Sequence, residues 1–242
     1  MDSITDIDAY HPSIKAVPFT RTATGTAIEL LSIAEQQALL KMSRLVTVPK
    51  YTKLYTKGSE ATYIYNIVKG VAETYHLTPN GNKRVTAFLF PHDLVGLAEN
   101  GRYVSDAQSL TPLVAFQIPL EGLRDVLVRD PELDFGLLSK LCHELRRSQN
   151  HALTVSLNEA SARLASFLVW IKDAYADGRS GQDELILPMA RHHIADYLGL
   201  STESVSRAFN HLERLGCIAR KGLRAISLID VPALERLAAQ SD

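Results

Sequence analysis

The spacing of apolar positions changes several times along the chain. Residues 1–26 are polar, contain proline and glycine and show no sustained periodicity, so we expect a flexible N-terminal arm. In 28–45 the apolar residues recur at helical spacing. Ser32 followed by Glu35 matches the capping-box pattern, which predicts that a short helix begins there.

Residues 53–118 switch to short alternating runs separated by turn-forming residues. The strongest turn signal is Pro79-Asn80-Gly81-Asn82, because Asn-Gly readily accepts positive φ at both turn positions of a hairpin. Short strands at this spacing indicate a barrel or jelly roll rather than a parallel sheet with helical crossovers. No Rossmann or P-loop glycine pattern interrupts the region.

A heptad seam begins after Pro131, and a further helix is expected over 161–176. Ser148 and Glu159 interrupt the seam, so it predicts a short pairing helix and not an extended coiled coil. A core helix packed within its own subunit is the alternative. We assign the apolar members of the seam to a dimer interface: Leu138, Leu141, Leu145, Ala152 and Val155.

The C-terminal part carries the most informative pattern. Apolar positions predict a helix over 191–198, Gly199 breaks it, and a second helix begins immediately afterwards. A small residue at Ala195, the glycine and a β-branched residue at Val205 have the spacing of a helix-turn-helix. Residues 217–228 then predict a strand, a basic turn and a strand, so the module is expected to be a winged helix.

Local charge changes what the composition implies. The chain has 26 Lys and Arg against 27 Asp and Glu, and its formal net charge of -1 excludes coating of nucleic acid by bulk charge alone. Within 190–224, however, six cations and three anions leave +3, and the remainder carries 20 cations against 24 anions. A modestly basic module on an acidic body suits a protein that reads a defined DNA sequence.

Composition and motifs also exclude several classes. Cys142 and Cys217 are too few for a disulfide framework or a four-thiolate metal or iron–sulfur site. The longest uncharged stretch, 107–120, has 14 residues and two prolines, too short and broken to span a bilayer. No catalytic motif is present, and the acidic start is no signal peptide. We expect a cytoplasmic protein that is not an enzyme.

Three polar residues share one face near the start of the second helix: Glu203, Ser206 and Arg207, at i, i+3 and i+4. Arginine bonds bidentately to guanine, glutamate accepts from cytosine N4, and serine serves a base or a phosphate. We therefore assign these three to base reading; an ordinary solvated Glu–Arg pair is the alternative. Contacts to the DNA backbone are assigned to Ser201, Thr202, Arg191, Arg220, Lys221 and Arg224.

Two segments resemble the bacterial CRP/FNR transcription regulators. The first is IADYLGLSTESVSRAFNHLERLGCI followed by ARKGLRAISLID, which is similar to that family's winged helix. The second is HDLVGLAENGRYVSDAQSLTPLVAFQIP, which resembles the end of its β-roll effector domain. The resemblance implies an α+β chain with four parts: a flexible arm at 1–26, a jelly-roll domain of the cyclic-nucleotide-binding-like type at 27–130, a dimerisation helix at 131–158 and a winged helix-turn-helix domain at 159–242.

The resemblance also implies a homodimer whose recognition helices enter successive major grooves about 34 Å apart on a two-fold symmetric operator. Glu203-x-x-Ser206-Arg207 resembles the FNR and FixK branches, whose half-sites are TTGAT-like. Carried over residue by residue, Arg207 reads the guanine, Glu203 the cytosine opposite, and Ser206 a thymine or phosphate. RNA polymerase is the further partner that the family implies, and we expect an activator.

The effector is what the sequence leaves open. Cyclic-AMP receptors carry Gly-Glu-Leu and then Arg-Ser, whereas the comparable residues here are Gly96-Leu97-Ala98 and Tyr103-Val104-Ser105, so cyclic nucleotide is not expected. None of the first 141 residues is cysteine, which excludes an N-terminal iron–sulfur switch. No cofactor is recognisable. Three alternatives for the signal remain open: haem, a small ligand near Arg146, Arg147 or Asn150, and redox control through Cys217. The alternative for the function is a ligand-binding protein that does not bind DNA.

Overall fold

A computed structural model describes residues 10–17, 27–96, 98–175, 184–222 and 224–239. The chain divides into two units, Met1–His76 with Ala87–Arg147, and Leu77–Thr86 with Ser148–Asp242. The division falls inside the predicted dimerisation helix, so that helix contributes residues to both units. Within the described ranges, every helix is too short or too polar to cross a membrane.

The first unit begins with the strand β1 (Lys15–Ala16), which pairs antiparallel with β2 (Ile28–Glu29). Helix α1 (Ile33–Met42) follows. Its capping box is present as predicted, because the Ser32 hydroxyl accepts from the Glu35 N–H and the Glu35 carboxylate accepts from the Ser32 N–H. The helix is shorter than the apolar periodicity over 28–45 suggests, since both ends of that range lie in strands.

Residues 10–17 differ from the loosely held arm expected for 1–26. Ile14 and Ala16 are buried, and the Ile14 carbonyl accepts from the Leu30 N–H at 2.8 Å. The Asn66 side chain accepts from the Ser13 N–H at 2.9 Å and donates to the Ser13 carbonyl at 2.7 Å. These contacts anchor this part of the arm, so the expectation is wrong for 10–17; residues 1–9 and 18–26 lie outside the described residues.

The β-roll predicted from the alternating runs is present. In the described part of the chain, two four-stranded sheets have the orders β4-β11-β6-β7 and β3-β12-β5-β8, and β9 and β10 pair separately. The strands are β3 (Arg44–Val48), β4 (Lys53–Tyr55), β5 (Tyr63–Lys69), β6 (Ala72–Leu77), β7 (Lys83–Leu89), β8 (Leu94–Val95), β9 (Ala98–Glu99), β10 (Arg102–Tyr103), β11 (Asp106–Ser109) and β12 (Leu113–Pro119).

The roll has an apolar cluster between its sheets and another outside them. The inner cluster combines Tyr55 and Ala107 from one sheet with Ile67 and Ala115 from the other. The outer cluster covers β5 and β12 with apolar side chains of α1, of α2 (Leu120–Arg129) and of the start of α3 (Pro131–Ser156). Helix α2 had no counterpart in the sequence analysis.

The hairpin predicted at 79–82 joins β6 to β7 through the three-residue loop Pro79-Asn80-Gly81. The Thr78 N–H donates to the Asn82 carbonyl at 2.9 Å, and the Gly81 N–H donates to the Thr78 carbonyl at 2.8 Å. Gly81 has φ of 78°, whereas Asn80 is not among the positive-φ residues. The loop therefore uses the left-handed region once and not at both central positions, as three-residue hairpin loops ending in glycine do.

The C-terminal elements follow the sequence prediction closely. They are α4 (Ala160–Tyr175), β13 (Glu184–Ile186), α5 (Arg191–Leu198), α6 (Thr202–Arg214), β14 (Ile218–Arg220), β15 (Ala225–Leu228) and α7 (Val231–Ala239). The apolar face predicted on the 161–176 helix is buried, and α4 packs against α6 and α7. The strands β14 and β15 form the wing, and β15 also pairs with β13. Neither β13 nor α7 had been predicted.

Candidate nucleic-acid interface

The turn between α5 and α6 has the geometry that the sequence pattern predicted. Gly199 ends α5 in the left-handed region, with φ of 65°, where a residue without Cβ avoids steric strain. Its N–H and that of Leu200 both donate to the Ala195 carbonyl. Ala195 and Val205 are buried where the two helices pack together. This arrangement fixes α6 as the recognition helix of a helix-turn-helix.

Two hydroxyl groups that had been assigned to DNA form hydrogen bonds near the start of α6. The Ser201 hydroxyl caps the helix by accepting from the Ser204 N–H at 3.0 Å. The Ser206 hydroxyl donates to the Thr202 carbonyl at 2.9 Å within the same helix. The three residues assigned to DNA, Ser201, Thr202 and Ser206, are exposed. Ser201 thus has a structural task in the free protein besides any contact to a phosphate.

Glu203 and Arg207 form an ion pair on the exposed face of α6. The Arg207 Nη1 atom lies 3.2 Å from the Glu203 Oε1 atom, and the two side chains are 69% and 76% exposed. The solvated pair considered as the alternative is therefore present in the free protein. Both groups remain accessible to solvent, so the pair presents a cation and a carboxylate side by side on the surface of α6.

The wing cations are held by neighbouring groups of the same unit. The Arg220 N–H and its Nε donate to the two carboxylate oxygens of Glu213 at 3.1 and 3.0 Å. These hydrogen bonds lower the pKa of the Glu213 carboxyl. The Lys221 ammonium lies 3.2 Å from Glu184, and Arg224 donates to the Pro188 carbonyl at 3.4 Å. The basic turn is thus preorganised in the free protein.

Arg191, at the first position of α5, stacks on the recognition helix. Its guanidinium carbon lies 3.4 Å from the centre of the Phe209 ring, and Phe209 is fully buried. Partial burial, with repulsion from Arg220, lowers the pKa of Arg191 to about 10, so the group stays charged at neutral pH. Arg191 therefore helps to hold α5 on α6 while it carries positive charge beside them.

The last turns of α3 pack on the winged helix, a relationship that the sequence analysis did not predict. His151 stacks on Tyr197 of α5 with ring centroids 3.9 Å apart, and burial lowers the pKa of His151. Arg163 of α4 donates to the Leu157 carbonyl at 2.7 Å and to the Leu198 carbonyl at 3.1 Å. One guanidinium thereby joins the chain just after α3 to the last residue of α5, directly before the Gly199 turn.

Helix α3 presents an apolar stripe to solvent. Leu138, Leu141 and Leu145 are 50%, 48% and 58% exposed. Lys140 and Leu133, on another side of the helix, are buried within the first unit. Of the two remaining members of the predicted seam, Ala152 is exposed and Val155 is half-buried. The alternative of a helix packed entirely within its own subunit does not account for this exposed stripe.

Three tyrosines belong to the buried apolar cluster inside the β-roll. The Tyr55 and Tyr103 rings stack with centroids 3.9 Å apart, and Tyr65 lies beside Tyr55 in the same buried cluster. The Tyr103 hydroxyl donates to the Tyr63 carbonyl at 2.8 Å. Burial raises the pKa of Tyr55. Leu97, which stands where the family's ribose-binding carboxylate would be, lies outside the described residues.

The residues considered for a small ligand are engaged within the fold. Arg147 binds the Asp93 carboxylate at 3.3 Å and donates to the Phe88 carbonyl at 3.1 Å. Arg146 donates to the Val17 carbonyl at 3.3 Å, and Asn150 is exposed. Arg147 does not lie on a solvated helix face, because the helix side that carries it packs on the roll.

Cys217 and the histidines offer little support for redox or metal chemistry. Cys217 is buried, and burial together with the carboxylate of Asp230 raises the pKa of its thiol, which disfavours the reactive thiolate. His92 sits in a turn with φ of 72°, and its Nδ1 lies 2.6 Å from the Ser13 hydroxyl. Across the described residues, His, Cys, Asp and Glu form no group of three that could hold a metal ion.

Comparison with known proteins agrees with this architecture. Residues 45–130 match the family profile of the cyclic nucleotide-binding domain, and 162–237 match that of the Crp-like helix-turn-helix domain. The nitrogen fixation regulation protein FixK of Bradyrhizobium diazoefficiens is 29% identical over 216 residues, which are 89% of this chain and 91% of FixK. The fumarate and nitrate reduction regulatory protein of Escherichia coli K12 is 30% identical over 199 residues, covering 81% of this chain and 79% of that protein.

Among solved structures, FixK2 from Bradyrhizobium japonicum superposes with a TM-score of 0.76 at 27% identity. The match covers 83% of this chain and 99% of FixK2. The likeness therefore extends over the β-roll, the long helix and the winged helix together. The chain belongs to the CRP/FNR family of DNA-binding transcription regulators, in its FixK/FNR-like branch.

Proposed function

We propose that this regulator binds a two-fold symmetric, TTGAT-like operator as a homodimer. The observation that carries the proposal is the exposed Glu203–Arg207 pair at the start of the recognition helix. A carboxylate 3.2 Å from a guanidinium matches the groups of a G·C base pair, whose guanine offers two acceptors and whose cytosine offers an amino donor. Arg207 reads the guanine, Glu203 the cytosine opposite, and Ser206 a neighbouring thymine or phosphate.

The contacts to the DNA backbone come from the cations that surround the recognition helix. Arg191 at the start of α5 and Arg220, Lys221 and Arg224 in the wing are all positioned by contacts within the same unit. Thr202 and Ser201 add exposed hydroxyls at the N-terminus of α6, where helix N–H groups favour a phosphate. These groups set the register of the protein on the duplex, whereas the α6 face selects the sequence.

The homodimer forms through the leucine stripe of α3. Leu138, Leu141 and Leu145 lie on one exposed side of a 26-residue helix, and a second copy of the same stripe covers them in a two-fold interface. Ala152 continues the stripe towards the winged helix. Val155, which is half-buried in the single chain, marks its end. The two recognition helices then occupy successive major grooves, about one helical turn apart.

We further propose that DNA binding requires no resident cofactor or cyclic nucleotide and no catalytic step. The stacked Tyr55 and Tyr103 rings support this, because the protein's own side chains pack in the buried cluster inside the roll. Activation through RNA polymerase is the proposed outcome of binding. An absorption spectrum and an intact mass of the natively purified protein test the ligand-free state. A Soret band establishes haem, the alternative, and an added mass of another size establishes a retained ligand.

A binding titration tests the proposed function. The protein is titrated with a duplex carrying two inverted TTGAT half-sites and with a scrambled duplex of equal length, at several salt concentrations. We expect a preference for the symmetric duplex of at least about 10³-fold, and a loss of affinity on both duplexes as salt rises through counterion release. Equal affinity for the two duplexes overturns the proposed operator.

A further inference from the structure

A closed ring of four charged side chains joins the β-roll to α3. Lys140 Nζ lies 2.7 Å from Asp93 Oδ1 and 2.9 Å from Glu144 Oε1. Arg147 Nη1 lies 3.1 Å from Glu144 Oε1 and 3.3 Å from Asp93 Oδ2. Each cation thus contacts both anions. Three members lie on one side of α3, and Asp93 alone comes from the roll, in the turn before β8.

Lys140 and Asp93 are buried, Glu144 and Arg147 are half-buried, and the two buried members have further partners. Lys140 is 2% exposed and also donates to the Lys15 carbonyl at 3.1 Å. Asp93 accepts from the Phe90 N–H at 2.9 Å. Removing the Asp93 carboxylate leaves two cations against one anion in a largely desolvated place, which is strongly unfavourable. The charge balance of this side of α3 therefore depends on a residue that the roll supplies.

The ring and the leucine stripe occupy different sides of the same helix. Lys140, Glu144 and Arg147 face the roll, whereas Leu138 and Leu141 are half exposed. Fixing the first side fixes the rotation of α3 about its own axis, and this rotation decides which residues face outward. A rotation of α3 by a fraction of the angle between successive residues would move the leucine stripe away from the centre of its contact with a second copy.

We propose that Asp93 is a positioning residue for dimerisation, a tethered carboxylate through which the roll holds α3 with its leucine stripe facing a second copy. The inference rests on the proposed homodimer. It has a chemical consequence that a general packing role lacks. In a variant without the side-chain carboxylate, a free small carboxylate restores the missing anion between Lys140 and Arg147 and with it the orientation of the helix.

The test is chemical rescue of dimerisation in the full-length chain. Sedimentation measures the dimer dissociation constant of wild type, Asp93→Ala and Asp93→Ala/Lys140→Met in sodium formate and in sodium chloride of equal ionic strength. We expect Asp93→Ala to weaken the dimer by at least about tenfold, since an uncompensated buried charge is costly. Formate restores most of the loss in Asp93→Ala, chloride does not, and the double variant does not respond to formate.

The outcomes separate this inference from the homodimer itself. A wild-type chain that stays monomeric overturns the proposed homodimer, whereas a dimeric wild type with an unweakened Asp93→Ala variant overturns only the positioning role. If the loss of dimer affinity in Asp93→Ala is the same in formate and in chloride, the positioning role is overturned as well. Should Asp93→Ala fail to fold, the isosteric Asp93→Asn takes its place. Its dimer must be weaker than that of the wild type, and unchanged affinity contradicts the inference.

Discussion

Arg220, the first cation of the wing, donates its backbone N–H and its guanidinium Nε to the carboxylate of Glu213, in the last turn of the recognition helix. The pair fixes the wing to α6, and it also neutralises a cation assigned to a DNA phosphate. The proposed phosphate contact thus requires Arg220 to exchange or share its carboxylate partner. In the free protein the wing therefore has a fixed position on α6, and the Glu213 carboxylate offsets the positive charge of Arg220.

Replacing Glu213 by glutamine is expected to strengthen binding to DNA of any sequence. The freed Arg220 neutralises one more phosphate, so the slope of log affinity against log salt concentration becomes steeper by about 1. Titration of a scrambled duplex at several salt concentrations measures this slope. Glu132→Gln, an exposed carboxylate at the start of α3, serves as the control. A Glu213→Gln slope equal to that of the control contradicts the assignment of Arg220.

Arg207→Ala is expected to cost about 1–3 kcal/mol of binding free energy on the symmetric TTGAT duplex, because the bidentate contact to guanine is lost. On scrambled DNA the same substitution should cost much less. Arg214→Ala provides a matched control, since Arg214 is exposed at the far end of the same helix. Equal losses on the two duplexes for Arg207→Ala would show that this residue contacts only the backbone.

Leu141→Ala is expected to weaken the dimer while leaving the fold of the single chain nearly intact. About half of the Leu141 side chain is exposed in one copy, so its burial in the interface is worth about 1 kcal/mol per protomer and about 2 kcal/mol per dimer. The dimer dissociation constant should therefore rise about 30-fold, measured by sedimentation. Val128→Ala removes an equally apolar, more exposed side chain of α2 and should have no effect. Equal effects of both substitutions would place the interface elsewhere.

The charged ring predicts a dependence of stability on pH at acidic values. Burial raises the pKa of Asp93, but attraction to Arg147 and Lys140 outweighs it and lowers the pKa to about 2, below the ordinary 3.8. Because the folded-state pKa is depressed, the stabilisation is fully present above about pH 4 and is lost as the pH falls towards 2. Urea unfolding of wild type and Asp93→Asn over this window tests the effect. The variant should show the flatter pH dependence, and an unchanged slope refutes the linkage.

Local sequence patterns predicted the helix-turn-helix because its geometry depends on residues within a short stretch of chain. The turn requires a left-handed residue at Gly199, and the helix packing requires Ala195 and Val205 at a fixed separation, so sequence spacing alone predicts the result. The leucine stripe of α3 is visible for the same reason, since helical periodicity places Leu138, Leu141 and Leu145 on one side.

The charged ring and the tyrosine stack could not be predicted in this way. Asp93 and Lys140 are 47 residues apart in the sequence, and Tyr55 and Tyr103 have a similar sequence separation. Such pairs form only after the roll has closed, so no periodicity marks them. The short strands β1 and β2 were missed because two residues show no alternation, and the contact of Asn66 with Ser13, just before β1, is equally long-range.

The most direct test of a two-fold reader is the spacing between its half-sites. Inserting about 5 base pairs between two inverted TTGAT half-sites places them on opposite faces of the duplex, whereas an insertion of about 10 restores the face. We expect the 5-base-pair insertion to lower affinity to that of a duplex with a single half-site. Undiminished affinity for the duplex with the 5-base-pair insertion would contradict a homodimer whose two Glu203–Arg207 faces read one operator together.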